Sequence, residues 1–377
     1  MSPTYLDYAA TTPVDRRVAD LVMTLMTEEY GNAGSRTHEL GARAAKAVEV
    51  ARAQIAAVAR ADVSEVVFTS GATEANNIAL LGLARHGSET GRTHIVTTAI
   101  EHKAVLEPLE ELARRGFEVT TIRPQQSGAV SADEVLSAVR ENTLLVSVMH
   151  VNNETGVRQP IELIADGLTD PSVYLHTDAA QGFGKDITTL QHDRIDLMSV
   201  SGHKLFAPKG VGALISRRRL RKRPPLTPLM FGGGQERALR PGTVPVALVA
   251  GFGLAAEMAL SEQAKRFDQC LAIRRVLVDT LASVGAIVNG QADLTVPHIL
   301  NISLPGIDSE AAMLALRHIV CISNGSACTS ASYQPSHVLN AMDLGEERCR
   351  SALRLSWGPD SRLPDQHSIV AAIESLR

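Results

Sequence analysis

Short, continuously apolar stretches recur along this chain, and several are followed by a helix-like stretch. Val66-Val-Phe68 precedes a helical pattern from about Glu74, and His94-Ile-Val-Thr-Thr-Ala99 precedes one from about Lys103 to Arg115. Thr143–Met149, Tyr174–Asp178, Leu197–Val200 and Val211–Ile215 are further apolar runs of strand length, and His38–Arg60 reads as an amphipathic helix. Strands that are apolar throughout must be covered on both faces. A mostly parallel sheet between helical layers does this, so the pattern predicts an α/β fold. Functional loops of such sheets gather at the carboxyl ends of the strands. Ser70–Thr73, His102, Asn153, Asp178 and Lys204 all fall at or just past a predicted strand end, which places them on one rim.

The pattern changes after a helix over Val246–Ala264. Strands are expected at Ile299–Leu304, Ile319–Ile322 and Leu353–Trp357. Helices are expected at Ser309–Arg317, Ser336–Met342 and Pro364–Leu376. At 377 residues the chain exceeds one typical core. We read a large domain over 15–255 and a small α/β domain made of 1–14 and 256–377. The net charge of −4 gives no general case for binding nucleic acid. No apolar run approaches the roughly 20 residues that span a bilayer, and the first residues lack a signal-peptide pattern. Cys270, Cys321, Cys328 and Cys349 form no Cys-x-x-Cys pair and are too sparse for a disulfide framework. A reducing cytoplasm is the expected compartment, and no metal is expected.

The chemistry concentrates around Ser201-Gly-His-Lys204 and, with 26 residues from aspartate to lysine, His176-Thr-Asp178-Ala-Ala-Gln181. A lysine amine can hold the aldehyde of pyridoxal 5'-phosphate (PLP) as an imine and later act as a mobile base. A carboxylate can keep the pyridine nitrogen protonated, making the ring an electron sink. Small residues at Ser70-Gly-Ala-Thr73, opening a helix, suit a phosphate cup; they equally suit an ordinary helix cap. His102 could stack on a ring and relay protons, or be a surface histidine. Asn153 could reach a substrate carboxylate or serve a turn. Arg354 could grip a carboxylate with both arms or form an interdomain ion pair, and Asn32 is the other polar candidate for that carboxylate. Cys328 lies among Gly325, Ser326, Ala327, Thr329 and Ser330, a setting that favours a reactive thiolate. The other three cysteines read as apolar packers. Phe231–Arg237 and Arg240–Thr243 form a glycine-containing, basic loop. Arg217–Arg223 is a basic run, read as a solvated edge or as a surface for an acidic protein or DNA backbone.

Together these residues resemble the cysteine desulfurases, the NifS/IscS family of class-V aminotransferase-like PLP enzymes. The likeness runs from Tyr5-Leu-Asp-Tyr-Ala-Ala-Thr-Thr-Pro13 to about Trp357. It includes Thr69–Glu74, Glu101-His-Lys-Ala-Val105, Met149–Glu154, Ser201–Lys204 and Gly325–Ala331. The resemblance implies PLP fold type I, a large domain with a mostly parallel, seven-stranded-type sheet plus a small α/β domain, and a homodimer. It implies that Lys204 forms the imine, His102 stacks on the ring, Asp178 pairs with the pyridinium and Gln181 contacts the phenolic oxygen. Ala72, Thr73, Ser201 and His203 would hold the phosphate, with Thr243 reaching in from the second subunit. Asn32, Asn153 and Arg354 would hold L-cysteine, Asn153 also touching the cofactor, and Cys328 would take the sulfur. The implied reaction converts L-cysteine to L-alanine with a persulfide on Cys328, which passes to a sulfur- or cluster-accepting protein.

Two features depart from the housekeeping enzymes. The chain stops at Arg377 without the longer tail that helps dock an iron–sulfur scaffold protein, and Gly31-Asn-Ala-Gly-Ser-Arg36 replaces the usual Gly-Asn-Pro pattern. These features look most like the DndA branch, which serves bacterial DNA phosphorothioate modification without the enzyme itself needing to touch DNA. Iron–sulfur cluster assembly is the other implied pathway. The alternatives are another PLP-dependent lyase, such as a selenocysteine or cystine lyase, and a PLP-bound scaffold without catalysis. The small-residue segment around Cys328 further leads us to expect a substrate-free thiol held beyond reach of the imine carbon.

Overall fold

The structure, a computed structural model, describes residues 3–219, 222–324 and 336–377. Its strands are β1 (Thr4–Tyr5), β2 (Val66–Thr69), β3 (His94–Thr98), β4 (Glu118–Ile122), β5 (Thr143–Ser147) and β6 (Tyr174–Asp178). They continue with β7 (Leu197–Ser201), β8 (Gly212–Ser216), β9 (Ile287–Val288), β10 (Ile299–Ser303), β11 (Val320–Cys321) and β12 (Ala352–Ser356). A seven-stranded sheet runs in the order β2-β8-β7-β6-β5-β3-β4. The pairs from β7 to β4 are parallel, whereas β8 is antiparallel to both β7 and β2. The expected parallel sheet is therefore present, with an antiparallel flank that apolar runs alone could not reveal.

Strand periodicity explains why both faces are covered. Val66 and Phe68 of β2, Met198 and Val200 of β7, and Ala213 and Ile215 of β8 enter one core. The alternating Val67, Leu197 and Leu214 enter the other. The first core is closed by helices Glu39–Ala59 and Val246–Ser261. These can touch because residue 253 is glycine, where a Cβ would lie 2.5 Å from Ala51 Cα. The outer edge of β2 is sealed by side chains. Arg52 donates to Val66 O and makes a double contact with Glu236 at 2.7 and 2.8 Å, while Glu236 accepts from Phe68 N at 2.7 Å.

A third apolar cluster gathers Leu6 of the N-terminal arm with Leu277, Ile302, Leu355, Trp357 and Ile373. Here β10 pairs antiparallel with β12 and β9, and β1 pairs parallel with β11. Three elements were not anticipated. Helix Arg16–Thr27 and edge strand β4 carry many polar residues. The expected helix to Ala264 is instead two, Val246–Ser261 and Gln263–Ala282.

Candidate active site

The carboxyl ends of β6 and β7 carry Asp178 and the Lys204 turn side by side. Asp178 is buried; its Oδ2 accepts from Asn76 Nδ2 at 2.7 Å and its Oδ1 from Ala180 N at 2.9 Å. Asn76 is fully buried on helix Ala72–Gly82, and its Oδ1 has no partner. His176, two residues before Asp178, joins Ser147 Oγ at 2.8 Å and Ser199 Oγ at 3.1 Å. Burial lowers its pKa to about 4, so it is neutral.

The N-terminal arm reaches this rim. Lys204 Nζ donates to Ala9 O and Ala10 O at 2.5 and 2.6 Å, and Gln181 Nε2 donates to Ala9 O at 2.9 Å. Gln181 Oε1 is buried without a partner. His203 Nδ1 lies 3.1 Å from Thr11 Oγ1, and Thr12 N donates to His203 O at 2.9 Å. Burial, then the charge of Lys204, lowers the His203 pKa to about 4. These arm contacts run largely through backbone carbonyls, which explains why side-chain chemistry in the sequence did not flag them.

Helix Ala72–Gly82 begins at Gly71 with no side-chain cap, leaving first-turn N–H groups available. Gly212 lets this loop approach β8: a Cβ there would lie 2.6 Å from Gly71 Cα. Ser201 is buried at the end of β7, and a Cβ on Gly71 would stand 3.6 Å from its Oγ. Ala72 is partly covered and Thr73 exposed. Glu74 accepts from Ser70 N and pairs with Arg240 at 2.9 Å, which fastens the second basic loop beside the cup; Thr243 on that loop is exposed.

His102 caps helix Lys103–Arg114, its Nδ1 accepting from Ala104 N at 3.1 Å; in the neutral ring the proton then lies on Nε2. The adjacent Glu101, which the sequence reading passed over, is fully buried. Its Oε1 accepts from Thr98 Oγ1 and Met149 N, each at 2.8 Å, tying the ends of β3 and β5 together. Burial raises its pKa to about 8.

The two adjacent asparagines divide their tasks. Asn152 serves the turn, its Oδ1 accepting from Glu154 N and Thr155 N at 2.9 Å. Asn153 is half-buried, and its carbonyl accepts from Arg354 Nη1 at 3.0 Å. Arg354 also pairs with Asp7 at 2.8 Å, so the interdomain-type ion pair weighed from sequence is present. Asn32 is exposed and accepts locally from Gly34 N at 2.8 Å. Cys328 and its expected resting position lie outside the described residues. Cys270 and Cys349 are buried, as expected for packers, and Cys321 is half-buried.

The basic run is not a solvated edge throughout. Arg217 is buried and donates to Ala59 O and Leu190 O at 2.6 and 2.9 Å, Arg219 pairs with Asp196 at 2.7 Å, and Arg223 donates to Ser64 O at 3.1 Å. Arg218 and Lys222 are exposed.

This sheet with its smaller companion unit is the architecture of PLP enzymes of fold type I. The aminotransferase class-V family matches residues 4–363. The cysteine desulfurase IscS of Vibrio campbellii is 44% identical over all of this chain and 92% of its own length. The crystal structure of DndA from Streptomyces lividans superposes with a TM-score of 0.83 at 53% identity, covering 96% of this chain and all of that one. A NifS-like protein superposes with a TM-score of 0.89 at 33% identity, covering all of this chain and 98% of its own. The chain belongs to the aminotransferase class-V family and, within it, to the PLP-dependent cysteine desulfurases. Among the described residues no helix is long and apolar enough to cross a membrane.

Proposed function

We propose that this enzyme is an L-cysteine desulfurase that uses Lys204, Asp178 and His102 at the cofactor and Cys328 as the sulfur acceptor. The observation that carries the reading is Asp178: buried at a strand end beside the Lys204 turn, held by Asn76 and a backbone N–H, and given no cation by the described residues. Such a carboxylate fits a protonated pyridine nitrogen. The uncapped helix start at Gly71 and the unpartnered Gln181 Oε1 fit the phosphate and ring substituents of PLP. When bound, PLP supplies the electron sink that lets the substrate Cα lose its proton.

Around it, Lys204 binds the aldehyde carbon and, once displaced by substrate, moves the Cα proton. Asp178 keeps the ring nitrogen protonated. His102 stacks on the ring and relays protons through Nε2. Ala72, Thr73, Ser201 and His203 hold the phosphate, with Thr243 contributed by the second subunit of a homodimer. Asn32, Asn153 and Arg354 orient the substrate carboxylate. The Cys328 thiolate attacks the substrate sulfur, the C–S bond breaks, and the carbon takes up a proton. L-cysteine and a thiol thus become L-alanine and a persulfide, with no outside oxidant. Residues 15–255 form the cofactor domain, with 1–14 and 256–377 as the small domain. The enzyme works in the cytoplasm and hands sulfur to an acceptor protein; the likeness to DndA favours a DNA phosphorothioation route over iron–sulfur cluster assembly.

Alanine release and visible absorbance test this. Lys204→Ala should lose both turnover and the imine band. Cys328→Ser should keep the band and lose cysteine turnover; a variant that still turns over cysteine at the wild-type rate would mark a simple eliminating lyase instead.

A further inference from the structure

Behind the Lys204 turn lies a recess of about 410 Å³, walled by the rings of Phe206, Phe267 and Trp357 and lined by Lys185, Arg266 and His298. Gly184 presses on the turn, since a Cβ there would fall 2.4 Å from Leu205 Cδ1. Lys185 is the next residue, so its stem leaves the chain beside Lys204.

The surroundings leave the Lys185 amine without a counter-ion. Among the described residues it makes no hydrogen bond and no ion pair. The carboxylate next to it in sequence, Asp186, is taken by Arg158 and lies 3.9 Å from His150 Nε2. Arg266, on helix Gln263–Ala282, is held by Glu262 at 2.8 Å and lies over the Phe206 ring. Cys270 on the same helix is a neutral thiol, pushed up to about 12 by burial, and Asp360 acts on that thiol. His298 is buried, its Nε2 has no partner, and burial keeps it uncharged. From the remaining side come only His203, Lys204 and Lys209, which are neutral or cationic. Burial, and then the charge of Lys204, holds the Lys185 amine down to about 7.

We propose that Lys185 is a positioning residue for Lys204: an unpartnered amine in a recess that shares its wall with the Lys204 turn, leaving the pair room for one positive charge. Two like groups so placed titrate together, and a proton on one discourages a proton on the other. A charge resting on Lys185 therefore keeps the Lys204 nitrogen neutral, the form that can bond to a carbonyl carbon or accept a proton. The inference rests on the reading of Lys204 as the cofactor lysine.

The test is a titration of the holoenzyme from about pH 5 to about pH 10, following the visible band of bound cofactor. Lys185→Met should move the midpoint up by about one unit, because the pair's first proton then belongs to Lys204 alone. Lys185→Arg, which keeps the charge, should stay within a few tenths of a unit. An unchanged midpoint in Lys185→Met overturns the inference. Should that variant fold poorly, competitive acetylation of the native holoenzyme, read peptide by peptide, measures the same coupling from the other side. Lys204→Ala should raise the pH at which Lys185 becomes reactive, and an unchanged value overturns the inference equally. If Lys204→Ala keeps the imine band, the fault lies in the Lys204 assignment. If the band is lost and the Lys185→Met midpoint stays put, only the coupling fails.

Discussion

Two buried aspartates on neighbouring strands are treated in opposite ways. Asp196, at the amino-terminal edge of β7, receives Arg194 at 2.6 Å, Arg219 at 2.7 Å and Leu175 N at 2.7 Å. Burial still pushes its carboxyl up, with the two arginines pulling it down. Asp178, at the carboxyl edge of β6, receives one amide and one backbone N–H and, among the described residues, no cation. A buried carboxylate without a cation is costly unless something else supplies the charge. The amino-terminal edge is thus completed by the protein, and the carboxyl edge is completed by what it binds. A charged residue there belongs to the ligand's chemistry; the same residue type at the other edge belongs to the fold.

Asparagine substitution separates the two. Asp178→Asn should leave the fold intact and lower the rate of alanine formation on the order of 10³-fold, since an amide cannot hold the ring nitrogen protonated. A variant with more than a tenth of wild-type turnover would break the comparison. Asp196→Asn should do the reverse. It strands two guanidinium groups, and because both are partly exposed the loss should sit at the low end for a broken buried pair, about 3 kcal/mol. Denaturant unfolding would read this, and turnover per folded molecule should be unchanged. Asn76→Ala removes a hydrogen bond to a charged group, worth about 2 kcal/mol. Expected is a loss of about 30-fold in turnover with a weaker hold on the cofactor, measured by kinetics and by dialysis against added PLP.

That third substitution marks where sequence reading ran out. The apolar runs disclosed the central strands because being covered on two faces leaves a strand almost no polar residue. They could not disclose β4, whose Glu118 and three half-covered neighbours face solvent at the sheet edge. Nor could they disclose helix Gln263–Ala282, whose apolar positions are thinly spread. Lys204, Asp178 and His102 were legible as reactive side chains at strand ends. Asn76 lay inside a motif already noted, yet its contact with Asp178 crosses 102 residues. The Ala9 and Ala10 carbonyls carry no side-chain signature. Arg217 and Arg219 read as a charge run because sequence cannot show which carbonyls and which aspartate wait for them.

Glu101 shows a third way to bury a carboxylate, by keeping its proton, and gives the subtlest test. Its folded pKa is raised by burial to about 8 from 4.5. Below about 4.5 both folded and unfolded chains hold the proton, and the group costs nothing. As pH rises above that, the unfolded chain releases the proton and the folded one does not. Stability therefore falls with rising pH across the window from about 4.5 to about 8, and levels off above it. The slope is about 1.4 kcal/mol per pH unit at most. Glu101→Gln keeps the carbonyl that accepts from Thr98 and Met149 and removes the titration. Stability curves at pH 6 and pH 7 should therefore converge in the variant by about that amount relative to wild type. Parallel curves would mean the carboxyl is already ionised in the fold. Because the charge of Asp178 is among the causes that raise this pKa, Asp178→Asn should shift the window downward. A window that does not move would show that the two carboxylates at this edge do not sense one another, and that burial alone keeps the proton on Glu101.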